Sequence, residues 1–319
     1  MLGTVAVIVV NYRTADLVVT CLRSLAREHD QTGCSVVVVD NASGDGSAHR
    51  IGQAISSEGW GGWVTLLPLD QNGGFSAGNN EALRLLLDQS TPPSWFLLLN
   101  PDTVVRAGAV RALLDRALTS RTIGIVGSRL EEPDGTLQRS AFPFLTLRTE
   151  LDRGLRLGLA SRLLSSWSAA PSGDAALRVD WVAGASMLIR REVIDSIGLL
   201  DDGYFLYFEE VDFCLRAARA GWECWYEPRS RVVHLVGQST GTDPSDSARP
   251  APKYVLDSRR RYFVKNHGAT YARLVDLAWI TGHLAWRVRM QLQRRDAPVA
   301  PHLLRDFVRH GALLSRGRL

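Results

Sequence analysis

Cysteine is scarce in this sequence of 319 residues. Cys21, Cys34, Cys214 and Cys224 are the whole complement, with no C-x-x-C and no paired spacing. That excludes a disulfide-stapled scaffold and reads as ordinary thiols in a reducing compartment. Long apolar runs are missing too. The start, MLGTVAVIVVNYR, lacks a positive leading region and a small-residue cleavage site, so it reads as a buried strand rather than a signal peptide. The longest late apolar stretch, Leu274 to Trp286, is broken by Asp276 and His283 and is too short to span a bilayer. These absences point to a cytoplasmic protein, with peripheral contact at the inner face of the cell membrane left open. No internal repeat is visible. A content of 45% hydrophobic and 22% charged residues excludes a disordered or collagen-like chain.

What is present is unevenly divided. The net charge of +4 averages a body at −6, residues 1–252, with residues 253–319, where 14 Lys and Arg face 4 Asp for a net of +10. In the first hundred residues β and α patterns alternate. Val5–Val10, Val36–Val39, Val64–Leu69 and Phe96–Leu99 are apolar runs of the kind found in strands buried on both faces. Helical spacing follows Thr14 and Asp16 and recurs at about 76–88 and 107–118. Repeated βα units imply a mostly parallel, doubly wound sheet with its ligand at the carboxyl ends of the strands. Beyond residue 120, Gly124–Leu130 and Val179–Ile189 read as strands, and 142–178 as an irregular, largely helical insert. Phe208 to Ala220 reads as a short helix, 237–252 as a Gly/Ser/Pro-rich loop, and 269–293 and 301–315 as helices.

The predicted strand ends carry the chemistry. Asn11-Tyr12, Asp40-Asn41, Asp70 and Asn100-Pro101-Asp102 follow the four strands in turn, so polar and acidic groups gather along one sheet edge, where a nucleotide would lie. Asp and Asn also favour turns for their own sake, but four such ends together exceed that preference. A carboxylate off a central strand, Asp102, suits a divalent cation bridging phosphates. The segment Asp70-Gln-Asn-Gly-Gly-Phe-Ser-Ala-Gly-Asn79 joins a strand to a helix. Its glycines allow close backbone approach to an anion, although it matches neither G-x-G-x-x-G nor G-x-x-x-x-G-K-[ST]. Glu209, Glu210 and Asp212 open a helix behind the aromatic YFLYF. Helix dipoles favour acids there, and an apolar wall would raise a carboxyl pKa toward that of a general base. His234 is a candidate nitrogen ligand.

Taken in order, VAVIVVNY, VVVVDNAS, DQNGGFSAGNN, FLLLNPDTVV, WVAGASMLIRREV, IGLLDDGYFLYFEEVDFCLRAARAGW and VVHLVGQSTG resemble the family 2 glycosyltransferases. The closest likeness is to the rhamnosyltransferase-like branch acting on bacterial cell-surface glycans. The resemblance implies an α/β GT-A fold, a Rossmann-like mostly parallel sheet with helices on both faces, in residues 1–240. Within it, 1–102 would bind the nucleotide-sugar and 103–240 the acceptor, and 241–319 would form a linker and basic helical extension. Donor contacts are implied for Asn11, Tyr12, Asp40, Asn41, Asp70, Asn72, Gly73, Gly74, Phe75, Gly78, Asn79, Asn100 and Asp102, with Asp40 on ribose or base and Asp70 on the base. Mn2+ or Mg2+ would be held by Asp102 and His234. Asn100 replaces the first acid of the family's D-x-D. Trp181, Gly184 and Tyr207 would line the acceptor. The family's base falls on Glu210, one methylene longer than the usual Asp, with Glu209 and Asp212 as alternatives.

The implied reaction is an inverting, metal-dependent transfer to a saccharide or polyprenyl-diphosphate-linked acceptor. L-rhamnose from dTDP-L-rhamnose is the first donor; a UDP-sugar, galactofuranosyl or N-acetylhexosaminyl, is the second. A sugar nucleotidyltransferase would want a basic Gly-rich loop after the first strand, which NYRTAD lacks. A non-catalytic nucleotide-sugar-binding scaffold is the remaining alternative. In the tail, Leu274, Ala278, Ala285, Val288 and Leu292 form one stripe, and Arg273, Asp276, His283, Arg287 and Arg294 another, with Trp279 and Trp286 two turns apart. Such an amphipathic helix either lies on an anionic membrane surface or packs on the catalytic domain or a second copy in a homodimer. No recognised nucleic-acid module accompanies the charge.

Overall fold

The computed structural model describes residues 3–156, 174–235, 252–296 and 299–314. The middle of the expected insert and all but the last residue of the expected 237–252 loop lie outside the described residues. The chain forms two compact units. One comprises Met1–Phe142, Ala170–Asp202 and Phe213–Thr242, the other Pro143–Ala169, Gly203–Asp212 and Asp243–Leu319.

The first unit begins β1 (Val5–Asn11), α1 (Ala15–Thr32), β2 (Ser35–Asp40), α2 (Ser47–Ser57), β3 (Val64–Pro68), α3 (Gly74–Leu87) and β4 (Trp95–Leu99). The four strands pair in parallel in the order β3-β2-β1-β4. Every residue of β1 and β4 is buried, which is why their sequences are unbroken apolar runs rather than alternating ones. Helix α1 buries Ala15, Val18, Cys21, Leu22 and Leu25 and stops at Gly33, whose φ of 69° needs a residue without a Cβ. Helix α3 lies so close to β1 that a Cβ on Gly78 would come within 2.9 Å of Val10.

Next come β5 (Thr103–Val105), α4 (Ala109–Ala117), β6 (Ile123–Glu131), β7 (Leu137–Gln138) and β8 (Ala141–Phe142). They are followed by β9 (Leu177–Val179), β10 (Trp181–Val182), β11 (Ser186–Arg190), α6 (Arg191–Ile197) and β12 (Glu223–His234). Strand β11 runs antiparallel between β4 and β6, and β12 is parallel to β6 but antiparallel to β5. The sheet is thus parallel through its first four strands and mixed beyond them. The single strand expected over Val179–Ile189 is three short pieces, because a bend at Asp180 and a turn at Ala183–Ala185 interrupt it. Strand β9 pairs with β12, β11 with β4 and β6, and β10 with β8, a pairing that the Ala183 N–H continues by donating to the Ser140 carbonyl. The turn expected at 133–136 is present. All four cysteines are buried free thiols, and burial pushes Cys21 up to about 12.

The second unit is helical: α5 (Leu147–Leu155), the first turn of α7 (Glu209–Arg219), α8 (Lys253–His267), α9 (Ala269–Leu292) and α10 (Leu303–His310). Helices α5 and α9 cross at Gly154 and Gly282, where an added Cβ would run into the Trp279 and Leu151 carbonyls respectively. Arg259 ties three helices together, donating to Glu150 at 2.7 and 3.0 Å and to Asp276 at 2.5 Å. The polar stripe expected over 269–293 therefore divides, with Arg273 and Arg287 exposed. Asp276 and His283 are buried, as is Trp286, which lies under the Arg156 guanidinium. Trp279 stacks on Phe307 of α10 at 4.0 Å. The burial of Asp276 was not legible because its partner Arg259 lies 17 residues away on another helix.

Candidate active site

The carboxyl ends of β1, β2 and β3 are knitted together by their own hydrogen bonds. Asn11 donates to Asp40 at 2.6 Å and to Ser43 at 3.1 Å, while its own carbonyl oxygen accepts from the Thr14 N–H and hydroxyl. The Ser43 hydroxyl donates to Asp40 at 2.6 Å and accepts from the Arg13 N–H at 2.9 Å. Asp40 is therefore buried, held rigid and pre-oriented. Asp70 is exposed, two residues past β3, and the adjacent Leu69 N–H donates to the Asp40 carbonyl. Tyr12 is exposed, with the Arg13 guanidinium 5.0 Å from its ring. Arg13 and Ser43 escaped the sequence reading; the only hint was their place beside the polar strand ends.

The turn into α3 is held in the same manner. Asn41 donates to Asn72 at 2.9 Å and to the Gly74 carbonyl at 3.0 Å, and Asn72 accepts from the Gly74 N–H at 2.9 Å. Gly74 has φ of 86°, a conformation that side chains resist. Asn79 donates back to the Phe75 carbonyl at 2.8 Å. Among the described residues, three buried acceptors here find no hydrogen-bond partner: Asn41 Oδ1, Ser76 Oγ and Asn79 Oδ1. Buried polar atoms are nearly always paired, so a cluster of exceptions at a helix N-terminus marks a place for a polar ligand.

Beyond β4, Asp102 is 1% exposed, and its Oδ1 lies 3.6 Å from His234 Nε2. The Asn100 amide nitrogen is 3.4 Å from the same Nε2. The tautomer of His234 follows from Gln138. Its side-chain nitrogen donates to the His234 carbonyl at 2.7 Å, which turns its oxygen toward Nδ1 at 3.2 Å. An oxygen can only accept, so Nδ1 carries the proton and the Nε2 lone pair faces Asn100 and Asp102. Strand pairing delivers this arrangement: β12 sets His234 opposite Thr103 of β5. Gln138 was not foreseen, because nothing in a two-residue strand advertises it. Among the described residues no group of three or more His, Cys, Asp or Glu converges as a metal site would. Among those residues the Asp102 and His234 pair is short of a full donor set, so any cation there would need substrate oxygens or water as well.

Trp181 stacks on Phe142 at 4.2 Å. Gly184 sits in the turn whose Ala185 carbonyl accepts from the Asn100 N–H, which brings that turn beside the D-x-D position. Tyr207 belongs to the second unit, with φ of 69°, stacked on Tyr254 at 6.3 Å.

The second unit also holds the three acids at the start of α7, and it treats them differently. Asp212 accepts from Tyr204 at 3.2 Å, Lys265 at 2.8 Å and Asn266 at 2.8 Å. Those bonds make it the anchor joining α7 to α8. Glu209 and Glu210 each keep one buried carboxyl oxygen that has no hydrogen-bond partner among the described residues. Burial raises Glu209 well above the usual range, and the Glu210 charge adds to the rise. Burial likewise raises Glu210, to about 7, against the pull of backbone N–H groups at the helix start.

A parallel βα half with a glycine turn and polar strand ends at its carboxyl edge, continued by mixed strands, is the architecture of the GT-A fold. The family model of glycosyltransferase-like family 2 matches residues 3–250, and the chain belongs to that family. It is similar to an N-acetylglucosaminyl-diphospho-decaprenol L-rhamnosyltransferase of Mycobacterium tuberculosis, 28% identical over 301 residues and covering 89% of each chain. It is also similar to the low-salt glycan biosynthesis hexosyltransferase Agl10 of Haloferax volcanii, 26% identical over 94% of this chain and 89% of that one. Among solved structures, a mannosyltransferase from Pyrobaculum calidifontis in complex with GDP-Man and Mn2+ superposes with a TM-score of 0.59 at 16% identity, over 92% of this chain and 75% of that one. GalNAc-T7 with UDP, GalNAc and Mn2+ superposes with a TM-score of 0.58 at 15% identity. That match covers 98% of this chain, which spans 59% of GalNAc-T7.

Proposed function

We propose that the chain is a metal-dependent, inverting glycosyltransferase that moves L-rhamnose from dTDP-L-rhamnose to a saccharide carried on a polyprenyl diphosphate. Its catalytic part would be residues 1–240, with 241–319 as an extension. The observation that carries this reading is the Asp102–His234 pair after β4, on the same sheet whose β3 leads into the buried, unsatisfied acceptors of the α3 turn. The similarity to a decaprenol-linked L-rhamnosyltransferase supports the donor sugar and the lipid-linked acceptor.

The residues present fit Mn2+ or Mg2+: one carboxylate oxygen and one neutral imidazole lone pair face the same space. A divalent cation held by Asp102 and His234 would supply positive charge against the diphosphate of the leaving group. Asp40 and Asp70 bind the nucleoside, and Asn72 and the N–H groups opening α3 receive the sugar diphosphate. The free Asn41 oxygen, which can only accept, takes a hydroxyl of the donor. Glu210, ionised in part at neutral pH, takes the proton of the acceptor hydroxyl as that oxygen attacks the anomeric carbon. The bond from that carbon to the phosphate oxygen breaks on the opposite face. The nucleoside diphosphate leaves with the electron pair, and the configuration inverts. Trp181, Gly184 and Tyr207 position the acceptor. The test is nucleotide release from a panel of sugar nucleotides with Mn2+ or Mg2+. Turnover of dTDP-L-rhamnose that falls with EDTA and in Asp102→Asn supports the reading. Preference for a UDP-sugar overturns the donor, and no turnover of any donor favours a non-catalytic scaffold.

A further inference from the structure

Helix α9 is built inside out. A surface helix ordinarily turns its apolar side inward and its polar side to water. Here the inward face holds Ala272, Val275, Gly282 and Trp286 together with Asp276 and His283. The outward face carries Leu274, Leu277, Leu284, Val288 and Leu292, all exposed, with Leu292 the most open at 81%. At 100° per residue these five fall within about 80° of one another around the helix axis. They form a straight apolar ridge about 27 Å long, taking 1.5 Å per residue over the span. Cations border it: Arg287 flanks it, and Arg294 and Arg295 follow its end, all exposed. Within 269–296 the one exposed acid is Asp296. No helix among the described residues is long and apolar enough to cross a membrane.

We infer that this ridge is a docking face for an anionic lipid bilayer, on which α9 lies flat with its leucines in the acyl boundary and its arginines at the headgroups. Charge complementarity selects the occupant. An anionic surface meets both the apolar ridge and the cations that border it, whereas a second copy would bring like charges together. The ridge is also convex and linear, the shape a plane accepts. The inference deepens the reading of a lipid-linked acceptor, yet it is tested with no substrate present, so either can fail alone.

The experiment is flotation of the full chain with vesicles of phosphatidylcholine alone or mixed equally with phosphatidylglycerol. The expected result is flotation with the mixed vesicles only, reversed by about 0.5 M sodium chloride as screening shortens the reach of the charges. In Leu284→Ser/Val288→Ser, the partition constant should fall by about tenfold or more, as buried apolar carbon is removed, with the melting midpoint and nucleotide affinity unchanged. Failure of the wild-type chain to float overturns the inference, as does flotation of the double variant at the wild-type level. Concentration-dependent dimerisation that the double variant abolishes, without flotation, assigns the ridge to a second copy instead.

Discussion

Replacing Glu210 by Gln keeps the side chain's size and removes its charge. Two consequences follow from the same burial. In the folded chain Glu210 titrates near 7, against an ordinary value of 4.5. Below about 4.5 both the folded and unfolded chains hold the proton, so the group has no effect on stability. As pH rises toward 7 the unfolded chain ionises first, and folding becomes less favourable by up to about 3 kcal/mol, a level that persists above 7. Glu210→Gln should relieve this penalty, raising the melting midpoint by roughly 5 °C at pH 8 and leaving it unchanged at pH 4. Turnover should move the other way, falling by about 10²–10⁴-fold with donor binding intact, since a positioned base is lost. The wild-type log kcat/KM should climb with unit slope below about 7 and level off above it; because Glu209 is coupled, that value belongs to the pair. Melting curves at the two pH values and a pH–rate profile read all three. A stabilised variant with unimpaired turnover would refute the base assignment, and an unshifted midpoint at pH 8 would refute the burial argument.

Other outcomes follow from single contacts. Gln138→Leu removes the acceptor that fixes the His234 tautomer, and should weaken Mn2+-dependent nucleotide binding by about 10–100-fold in calorimetry, with nucleotide binding in EDTA unchanged. Asp102→Asn should abolish the difference between binding with and without Mn2+. Gly78→Ala forces a Cβ against Val10, and should cost about 1–3 kcal/mol in denaturant unfolding. Arg259→Leu removes the buried cation between Glu150 and Asp276, leaving Asp276 with no counter-ion among the described residues while Glu150 keeps Arg153, for a loss of about 3 kcal/mol.

The parallel half of the fold was legible because its strands are buried on both faces, which forces continuous β-branched and leucine-rich runs such as Val5–Val10 and Trp95–Leu99. Strand β12 was not, since ECWYEPRSRVVH mixes charges into its length. It holds because Glu227 pairs with Arg116 and Ser230 bonds Ser128, and Pro228 sits where the ladder shifts register. Helix α2 was missed because its N-cap is Gly46 in a left-handed turn, with the capping carboxylate, Asp45, one residue earlier, where it accepts from the Ser47 N–H. At the site, the polar strand ends were readable from order alone. Ser43 and Gln138 were not, because each gains its role from partners about 30 and 96 residues away. Glu209, Glu210 and Asp212 looked alike in sequence; only the hydrogen bonds to Lys265 and Asn266 separate the anchor from the two buried acids.

The most direct measurement is transfer itself. The chain is incubated with dTDP-L-rhamnose, Mn2+ and an N-acetylglucosaminyl-diphospho-polyprenol, and the lipid is followed by mass spectrometry. The account predicts a lipid product heavier by one deoxyhexose, formed with inversion at the anomeric carbon and lost with EDTA. An unchanged lipid beside a consumed UDP-sugar, or a product of retained configuration, would contradict it.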